Sequence, residues 1–200
     1  MITYIKRDHR LYFAYGIDIS EAQIREKCEK PVCVDIAKIE GYALSFYGHT
    51  AVWDGGCEDF IPSPSHTLWG VVYWLNFSDA DRLDTLTDVR LDGTGSYFHY
   101  PLTVSSCDGK KSYDVLLYKK DRDFQPESPS TEYRDVILQG ALERGFPAAY
   151  VRSLQQMISH PASYPVPRQT AFRRSLLLQT ACDCGDLRLS HGGPGFHPVI

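Results

Sequence analysis

The sequence predicts an α+β domain built around a small closed or half-closed β-sheet. Many short apolar and aromatic runs are separated by turn residues, and only a few segments show helical periodicity. Hydrophobic residues make up 43% of the 200 residues and charged residues 23%, which is typical of globular proteins. We expect a compact domain over residues 8–160 and a partly irregular C-terminal extension over residues 161–200, which is rich in proline, glycine and polar residues.

The first half of the chain favours strands around one or two short helices. Leu11–Tyr15 is an apolar and aromatic run that ends at Gly16, and Ser20 and Gln23 have the spacing of a capping box for a helix over Glu21–Cys28. Further strands are predicted at Pro31–Ile36, Tyr42–Tyr47 and Leu68–Leu75, with a turn at Asp54–Gly56. A short helix over Ser78–Leu86 has Ser78 as its candidate cap.

The second half begins with a hairpin and ends in helices. Tyr97–Val104 and Ser112–Tyr118 flank an Asp-Gly pair that favours a tight turn. Amphipathic spacing predicts helices over Glu132–Glu143 and Pro147–Ile158, with Gly145 as a C-cap between them. Thr170–Thr180 has the pattern of one last helix.

Composition and charge exclude several classes of function. The net charge of −4 and the pI of about 5.9 argue against nucleic-acid binding, which needs clustered basic residues. No run approaches the roughly 20 apolar residues of a membrane span, and the N-terminal residues lack the apolar core of a signal peptide. We therefore expect a cytoplasmic protein whose six cysteines are thiols, with nothing that indicates an oligomer.

Neither the cysteines nor the histidines indicate a metal site. Cys182 and Cys184, with His191 and His197, stand in a polar tail where nothing fixes their positions, so we expect no bound metal. Cys57 is the cysteine that we expect nearest to a pocket, because its Gly-Gly turn precedes a strand of the sheet.

Five motifs occur in the order in which one family has them. The chain contains Tyr-Phe-Ala-Tyr-Gly at residues 12–16, Trp-Gly-Val-Val-Tyr at 69–73, Leu-Asp at 83–84, Gly-Ser-Tyr at 95–97, and Pro-Ser-Thr-Glu-Tyr at 129–133 leading into Gly-Ala-Leu-Glu-Arg-Gly-Phe-Pro at 140–147. Over residues 11–158 it thus resembles the γ-glutamylcyclotransferases of the AIG2-like superfamily.

This resemblance implies a small mixed β-barrel with flanking helices and a cofactor-independent reaction on a small molecule. In the family's enzymes the α-amine of a γ-glutamyl amide attacks the γ-carbonyl, which releases 5-oxoproline and an amine. The resemblance assigns a substrate-binding cradle to Tyr12, Phe13, Ala14, Tyr15, Gly16 and Ile17, and places Tyr97 and Tyr133 at the site. Tyr133 would offer its hydroxyl to the ligand, and Gly16 would let the backbone approach closely.

The chain departs from the family at the catalytic position. The family base is the glutamate of an L-D-x-x-E-G pattern, and here Thr87 stands in its place. A threonine hydroxyl does not titrate near neutral pH, and general acid–base help is worth about 10²–10⁴-fold in rate. Asp88, at the family's glycine position, would reach the same space if the following loop is shifted by one residue.

Two further departures lie in the cradle. Ile17 replaces the loop serine, which keeps a backbone donor but adds apolar bulk, and Asp18 replaces an asparagine. Asp18 is suited to cap the following helix. Alternatively, it is a base whose pKa is raised by burial. Its negative charge is unfavourable for a γ-glutamyl carboxylate.

Three functions remain open at this point. The first is a divergent cyclotransferase, of lyase or acyltransferase type, that acts on a small amine or amide in specialised metabolism, with Asp88 or Asp18 as its base. The second is a non-catalytic module that binds a ligand or a protein partner, which Thr87 favours. The third is a cyclase or isomerase acting on a non-peptidic substrate, for which Ile17 and the many tyrosines are suited.

Overall fold

The protein, analysed as a computed structural model that describes residues 9–90, 92–120 and 125–168, is organised around a closed five-stranded barrel. The strands are β1 (His9–Ala14), β2 (Val32–Thr50), β3 (Gly55–Asn76), β4 (Tyr97–Ser106) and β5 (Ser112–Lys120). They are arranged in the order β1-β3-β2-β4-β5. All pairings are antiparallel except that of β1 with β5, where Tyr12 meets Leu116. The predicted fold, an α+β mixed barrel, is confirmed.

Four α-helices and one 3-10 turn connect or cover the strands. They are the 3-10 helix Ile17–Ile19, α1 (Glu21–Lys27), α2 (Phe77–Thr87), α3 (Thr131–Glu143) and α4 (Ala148–Gln155). Each predicted helix over the described residues is present to within a few residues. The expected helix over Thr170–Thr180 lies outside the described residues.

The two strands predicted at Pro31–Ile36 and Tyr42–Tyr47 are parts of one long strand, β2, paired with β3 along its length. Register shifts occur between Cys33 and Asp35, Glu40 and Tyr42, and Tyr47 and His49. Bulges of this kind let a strand bend without losing its ladder. The turn residue at Gly41, with φ +80°, therefore marks a bend in a continuous strand and not its end.

Gly55 and Gly56 belong to β3 and not to the predicted turn, which residues 51–54 form instead. Because neither glycine has a side chain, the segment that precedes α3 can pack closely against them. A Cβ on Gly55 would lie 2.5 Å from the Ser130 amide nitrogen, and one on Gly56 would lie 2.2 Å from the Glu127 carbonyl oxygen. These two glycines bring the segment before α3 onto the barrel.

The helix ends show which capping predictions hold. The side chain of Asn76, and not that of Ser78, caps α2 by accepting a hydrogen bond from the Asp79 amide at 2.8 Å. Ser20 occupies the N-cap position of α1, but its side chain makes no capping hydrogen bond. Gly145, with φ +68°, ends α3 as predicted: its amide donates to Leu142 and the next amide donates to Ala141, which is the pattern of a Schellman motif.

The alternation of side chains along β1 divides the core in two. Phe13 and Tyr15, the residue just after β1, belong to a cluster inside the barrel whose other members are all strand residues. Tyr12 and Ala14 face the other way, into a cluster that includes Ile137 and other helix residues. Because successive side chains of a strand point to opposite faces, β1 contributes side chains to both cores just before the chain turns at Gly16.

Candidate active site

A cavity of about 400 Å³ opens beside the end of β1. Six aromatic side chains and charged groups of both signs contribute to its wall. The aromatic residues are Tyr12, Tyr15, Trp53, Tyr97, Tyr118 and Tyr133, and the charged ones include Asp18, Lys27, Glu58, Asp88 and Lys120. Burial raises the pKa of all five tyrosines well above 10. Their hydroxyls therefore stay protonated and can donate hydrogen bonds at neutral pH.

The predicted cradle supplies part of this wall. Tyr12, Tyr15 and Ile17 line the cavity, as the resemblance implied. Phe13 and Ala14 are fully buried and are not among the lining residues. Phe13 packs inside the barrel and Ala14 packs in the helix-covered core. The expectation that Phe13 and Ala14 contact the ligand is therefore wrong. They pack in the two cores and so position Tyr12 and Tyr15, which do line the cavity.

Glu58, on β3, is the residue that sequence reasoning missed. The Ile17 amide and the Tyr133 hydroxyl each donate a hydrogen bond to its Oε2, both at 2.7 Å. The side chain is half-buried because it faces the cavity, although it lies deep in the protein. Gly16 permits this position, because a Cβ there would lie 2.2 Å from the carboxyl carbon of Glu58. The expected close approach at Gly16 is thus made to a carboxylate of the protein itself.

The surroundings of Glu58 favour its protonated form more than water does. Burial is the main cause that raises its pKa, and the negative charge of Asp18 adds to it. Lys27 and the hydrogen bonds from Tyr133 and Ile17 oppose this rise without cancelling it. A carboxyl group whose pKa lies above its ordinary value is suited to exchange protons nearer neutral pH.

Asp18 lies in the cavity wall as one member of a buried ion pair. Lys27 donates to its Oδ1 at 2.5 Å and the Tyr12 hydroxyl to its Oδ2 at 3.1 Å, and only 3% of Asp18 is exposed. It belongs to the 3-10 turn and does not cap α1, so the capping prediction is wrong. Because both carboxylate oxygens accept hydrogen bonds from neighbouring side chains, the contacts favour Asp18 as a structural and electrostatic group over Asp18 as the base.

Asp88 ends α2 in the left-handed conformation, with φ +54°. The next amide, that of Val89, donates to Asp84, as in a Schellman motif. Glycine adopts this conformation readily, which agrees with the glycine that the family pattern has at this position. Thr87 is the last residue of α2, and Asp88 follows it as the residue that ends the helix.

The contacts of Asp88 also favour a structural role over the predicted role of base. Its carboxylate accepts hydrogen bonds from the amide and hydroxyl of Ser96 and from Arg90. Partial desolvation would by itself raise the pKa of Asp88, but these contacts outweigh it and lower the pKa.

Thr87 lines the cavity and its hydroxyl donates to the Leu83 carbonyl oxygen at 2.7 Å.

Tyr97 and Tyr133 both reach the cavity, as expected, and both touch Glu58. The Tyr97 hydroxyl donates to the Glu58 carbonyl oxygen at 2.9 Å. Trp53 stacks on the Tyr133 ring, with 5.0 Å between centroids and 14° between planes. This stack holds the Tyr133 ring rigidly at the carboxylate.

Cys57 lines the cavity, as predicted. Burial raises the pKa of its thiol, although Lys120 and Tyr97 oppose the rise. It is therefore a thiol at neutral pH and a poor nucleophile.

Among residues 9–90, 92–120 and 125–168, no group of three or more histidine, cysteine or acidic side chains is arranged to hold a metal ion. The four residues Cys182, Cys184, His191 and His197 lie outside the described residues. Within the described part of the chain, no helix is long and apolar enough to span a membrane.

The pair of acids Glu58 and Asp59 is the one sequence feature that could have indicated an acid facing the cavity. Two acids follow Gly55-Gly56-Cys57 at the start of β3, and the alternation of side chains along a strand sends them to opposite faces. Asp59 is buried and pairs with Lys119 at 2.6 Å, whereas Glu58 faces the cavity. A glutamate at the start of a strand, preceded by two small residues, was the available clue.

The closed mixed barrel is the fold that the resemblance to the cyclotransferases implied. Comparison with known proteins agrees with that resemblance. The AIG2-like family model matches residues 67–154. The γ-glutamylcyclotransferase of Bos taurus is 32% identical over 155 residues, which cover 74% of this chain and 78% of that protein. The Mus musculus γ-glutamylcyclotransferase is 30% identical over 153 residues, 72% of this chain and 77% of that one.

The chain belongs to the γ-glutamylcyclotransferase-like (AIG2-like) family. A solved γ-glutamyl cyclotransferase structure has the same fold, with a TM-score of 0.73 and 23% identity over 86% of this chain and 99% of that one.

Proposed function

We propose that this protein is a divergent cyclotransferase that acts on a small amine-bearing amide by intramolecular cyclisation, with Glu58 as its proton-transferring group. The observation that carries the proposal is the Glu58 carboxylate, held at 2.7 Å by Ile17 and Tyr133 on the cavity wall. It supplies a titrating carboxyl group to a cavity whose family base is replaced by Thr87.

The chemistry needs one proton to move between two nitrogens. The substrate amine attacks the amide carbonyl carbon, a C–N bond of the new ring forms, and the C–N bond to the leaving amine breaks. Glu58 takes the proton from the attacking nitrogen and delivers it to the leaving nitrogen. A raised pKa makes both halves of this transfer feasible near neutral pH.

The remaining wall binds and orients the substrate. The hydroxyl protons of Tyr97 and Tyr133 are already donated to Glu58, so the rings of these tyrosines and of Trp53 serve as contact surfaces for the substrate. A cavity of about 400 Å³ suits a small metabolite folded so that its amine lies against its own carbonyl. We infer a small-molecule substrate, with no role for nucleic acid or membrane. The changes at Ile17, Asp18 and Thr87 favour a specialised biosynthetic role.

A turnover assay with an isosteric variant tests the proposal. The purified full-length protein is supplied with γ-glutamyl amides and related amino amides, and the cyclic product and released amine are quantified. Glu58→Gln is expected to lower turnover by about 10²–10⁴-fold. Asp81→Asn, which removes an exposed carboxylate of α2 outside the cavity, is the matched control and is expected to leave turnover unchanged.

Two further variants decide among the candidate bases. Asp88→Asn is expected to change turnover only a few-fold, because its contacts cap α2. If Glu58→Gln retains wild-type turnover while Asp88→Asn or Asp18→Asn abolishes it, the assignment of the base to Glu58 is wrong.

A second candidate function is a non-catalytic ligand-binding member of the fold, and Thr87 is the observation that favours it. If the wild-type protein turns over none of the amides and Thr87→Glu gains cyclic product, the cradle is competent and the native protein lacks its base. In that outcome the binding role replaces the catalytic one.

A further inference from the structure

The two donors that the cradle offers are already occupied by an anion of the protein. By resemblance, the backbone at Ile17 and the Tyr133 hydroxyl would hold the ligand, yet here both donate to Oε2 of Glu58 at 2.7 Å. A ligand carboxylate would have to displace the Glu58 carboxylate to reach the same two donors. The backbone around Gly16 offers no room for both, because the carboxylate already fills the space of its missing Cβ.

The local charge points in the same direction. Asp18 and Glu58 place two acids in one wall of the cavity, and the charge of Asp18 adds to the burial that raises the pKa of Glu58. Lys27 is bound to Asp18 at 2.5 Å and thereby neutralises one of these two acids. A third carboxylate at this place would be repelled, whereas an ammonium group would be attracted.

The aromatic wall is also suited to a cation. Trp53 and Tyr133 are stacked beside the carboxylate, and Tyr97 hydrogen-bonds to the Glu58 main chain. The faces of such rings attract ammonium groups. In the same wall, the Lys120 ammonium group lies 4.8 Å from the centroid of Tyr97, which shows that this ring accommodates a cation.

We propose that the cavity selects a primary amine without an α-carboxylate, that is, an ω-amino amide such as a γ-aminobutyryl amide, and that the Glu58 carboxylate stands where a γ-glutamyl ligand would place its own. The reaction in this inference rests on the proposed function, whereas the binding preference does not. In the reaction, the free amine attacks the amide carbonyl, pyrrolidinone forms, and the leaving amine departs with the transferred proton. No oxidant, reductant or other co-reactant takes part.

Binding of two inert probes tests the preference without any turnover. Pentylamine and norleucine differ only in the carboxylate, and neither has an amide carbonyl to attack. Their affinities for the full-length protein are measured by NMR titration at neutral pH. We expect pentylamine to bind at least about tenfold more tightly than norleucine to the wild type, and Glu58→Gln to reduce this ratio to below about threefold. Asp81→Asn is expected to keep the wild-type ratio.

Several outcomes would overturn the inference. They are equal affinity of the two probes for the wild type, tighter binding of norleucine, the absence of measurable pentylamine binding, or an unchanged ratio in a folded Glu58→Gln protein. Far-ultraviolet circular dichroism checks that the variant is folded, and Glu58→Ala is measured in parallel as a second variant expected to lose the preference.

A pair of chromogenic amides separates this inference from the proposed function. γ-Aminobutyryl-p-nitroanilide and γ-glutamyl-p-nitroanilide are compared by release of p-nitroaniline. If neither is turned over but the probe preference and its dependence on Glu58 hold, the cyclotransferase proposal fails and the binding inference stands. If the γ-glutamyl compound is the better substrate and norleucine the better ligand, the inference fails and the cyclotransferase proposal stands.

Discussion

Replacement of Gly16 by alanine is expected to expel the Glu58 carboxylate from its place. A Cβ on Gly16 would lie 2.2 Å from the carboxyl carbon and from Oε2 of Glu58, and 2.6 Å from Oε1, whereas real Cβ atoms essentially never come within 3.0 Å of another atom. The three nearest atoms all belong to the end of one side chain. That side chain, and not the backbone, is therefore the part that has to move.

The magnitude follows from the contacts that Glu58 then loses. Hydrogen bonds from Ile17 and Tyr133 are broken, and hydrogen bonds to a charged group contribute about 1.5–3 kcal/mol each. The return of the half-buried carboxylate toward water offsets part of this loss. We expect Gly16→Ala to lower the free energy of unfolding by about 2–4 kcal/mol.

A double-mutant cycle in urea isolates the contact. In a Glu58→Ala background the carboxylate is absent, so Gly16→Ala is expected to cost less than about 1 kcal/mol. Gly70→Ala is the matched control, because its Cβ would lie 2.4 Å from the Ala14 carbonyl oxygen. That clash is with backbone, so it is expected to cost the same in both backgrounds. Equal costs of Gly16→Ala in the two backgrounds would refute the placement of Glu58 against Gly16.

Three further predictions concern titration and hydrogen bonding. The native pKa of Glu58 is raised above 4.5, so the wild type should lose stability relative to Glu58→Gln as pH rises through and above 4.5, which urea unfolding at several pH values measures. Tyr133→Phe removes a contact that lowers the pKa of Glu58, so the acidic limb of the pH–rate profile should move to higher pH. Burial by itself would raise the pKa of Asp84, but hydrogen bonds from His99, Arg10 and Tyr118 lower it below 3.8. Its stabilising effect is present above pH 3.8 and is lost as pH falls through the lower native pKa. Asp84→Asn should therefore destabilise the protein by about 2–4 kcal/mol at neutral pH, and this difference should vanish in strong acid.

Local patterns were enough for the architecture. The alternation along Leu11–Tyr15, the Asp-Gly hairpin and the glycine at position 145 each describe contacts between residues near one another in sequence. Such features depend on the period of strands and on the conformational freedom of glycine, so they are readable without a structure. The aromatic run that ends at Gly16 predicts a ligand site at the end of β1, and a cavity is present there.

Local sequence patterns did not indicate Glu58 as the acid that we propose for the site. Asp88 was a candidate because it stands next to Thr87, but the structure uses it to end a helix in the left-handed conformation. Asp18 was a candidate because it follows the cradle, but it is paired with Lys27. Proximity in sequence was therefore a poor guide to which carboxylate is available to a ligand.

The sequence by itself determined the family and the mixed barrel, because its motifs occur in order and their periodicity is local. It also predicted a ligand site at the turn after β1, and the structure has a cavity beside that turn. Only the tertiary structure decided that Glu58 meets that turn, since it lies 41 positions after Ile17 in the sequence. Their contact depends on the closed barrel, in which β3 pairs with β1 over Val71–Asn76 and carries Glu58 near its other end, and on a glycine whose missing side chain leaves space for a carboxylate. A long-range pairing of this kind is set by the register of the whole sheet, and no short stretch of sequence specifies it.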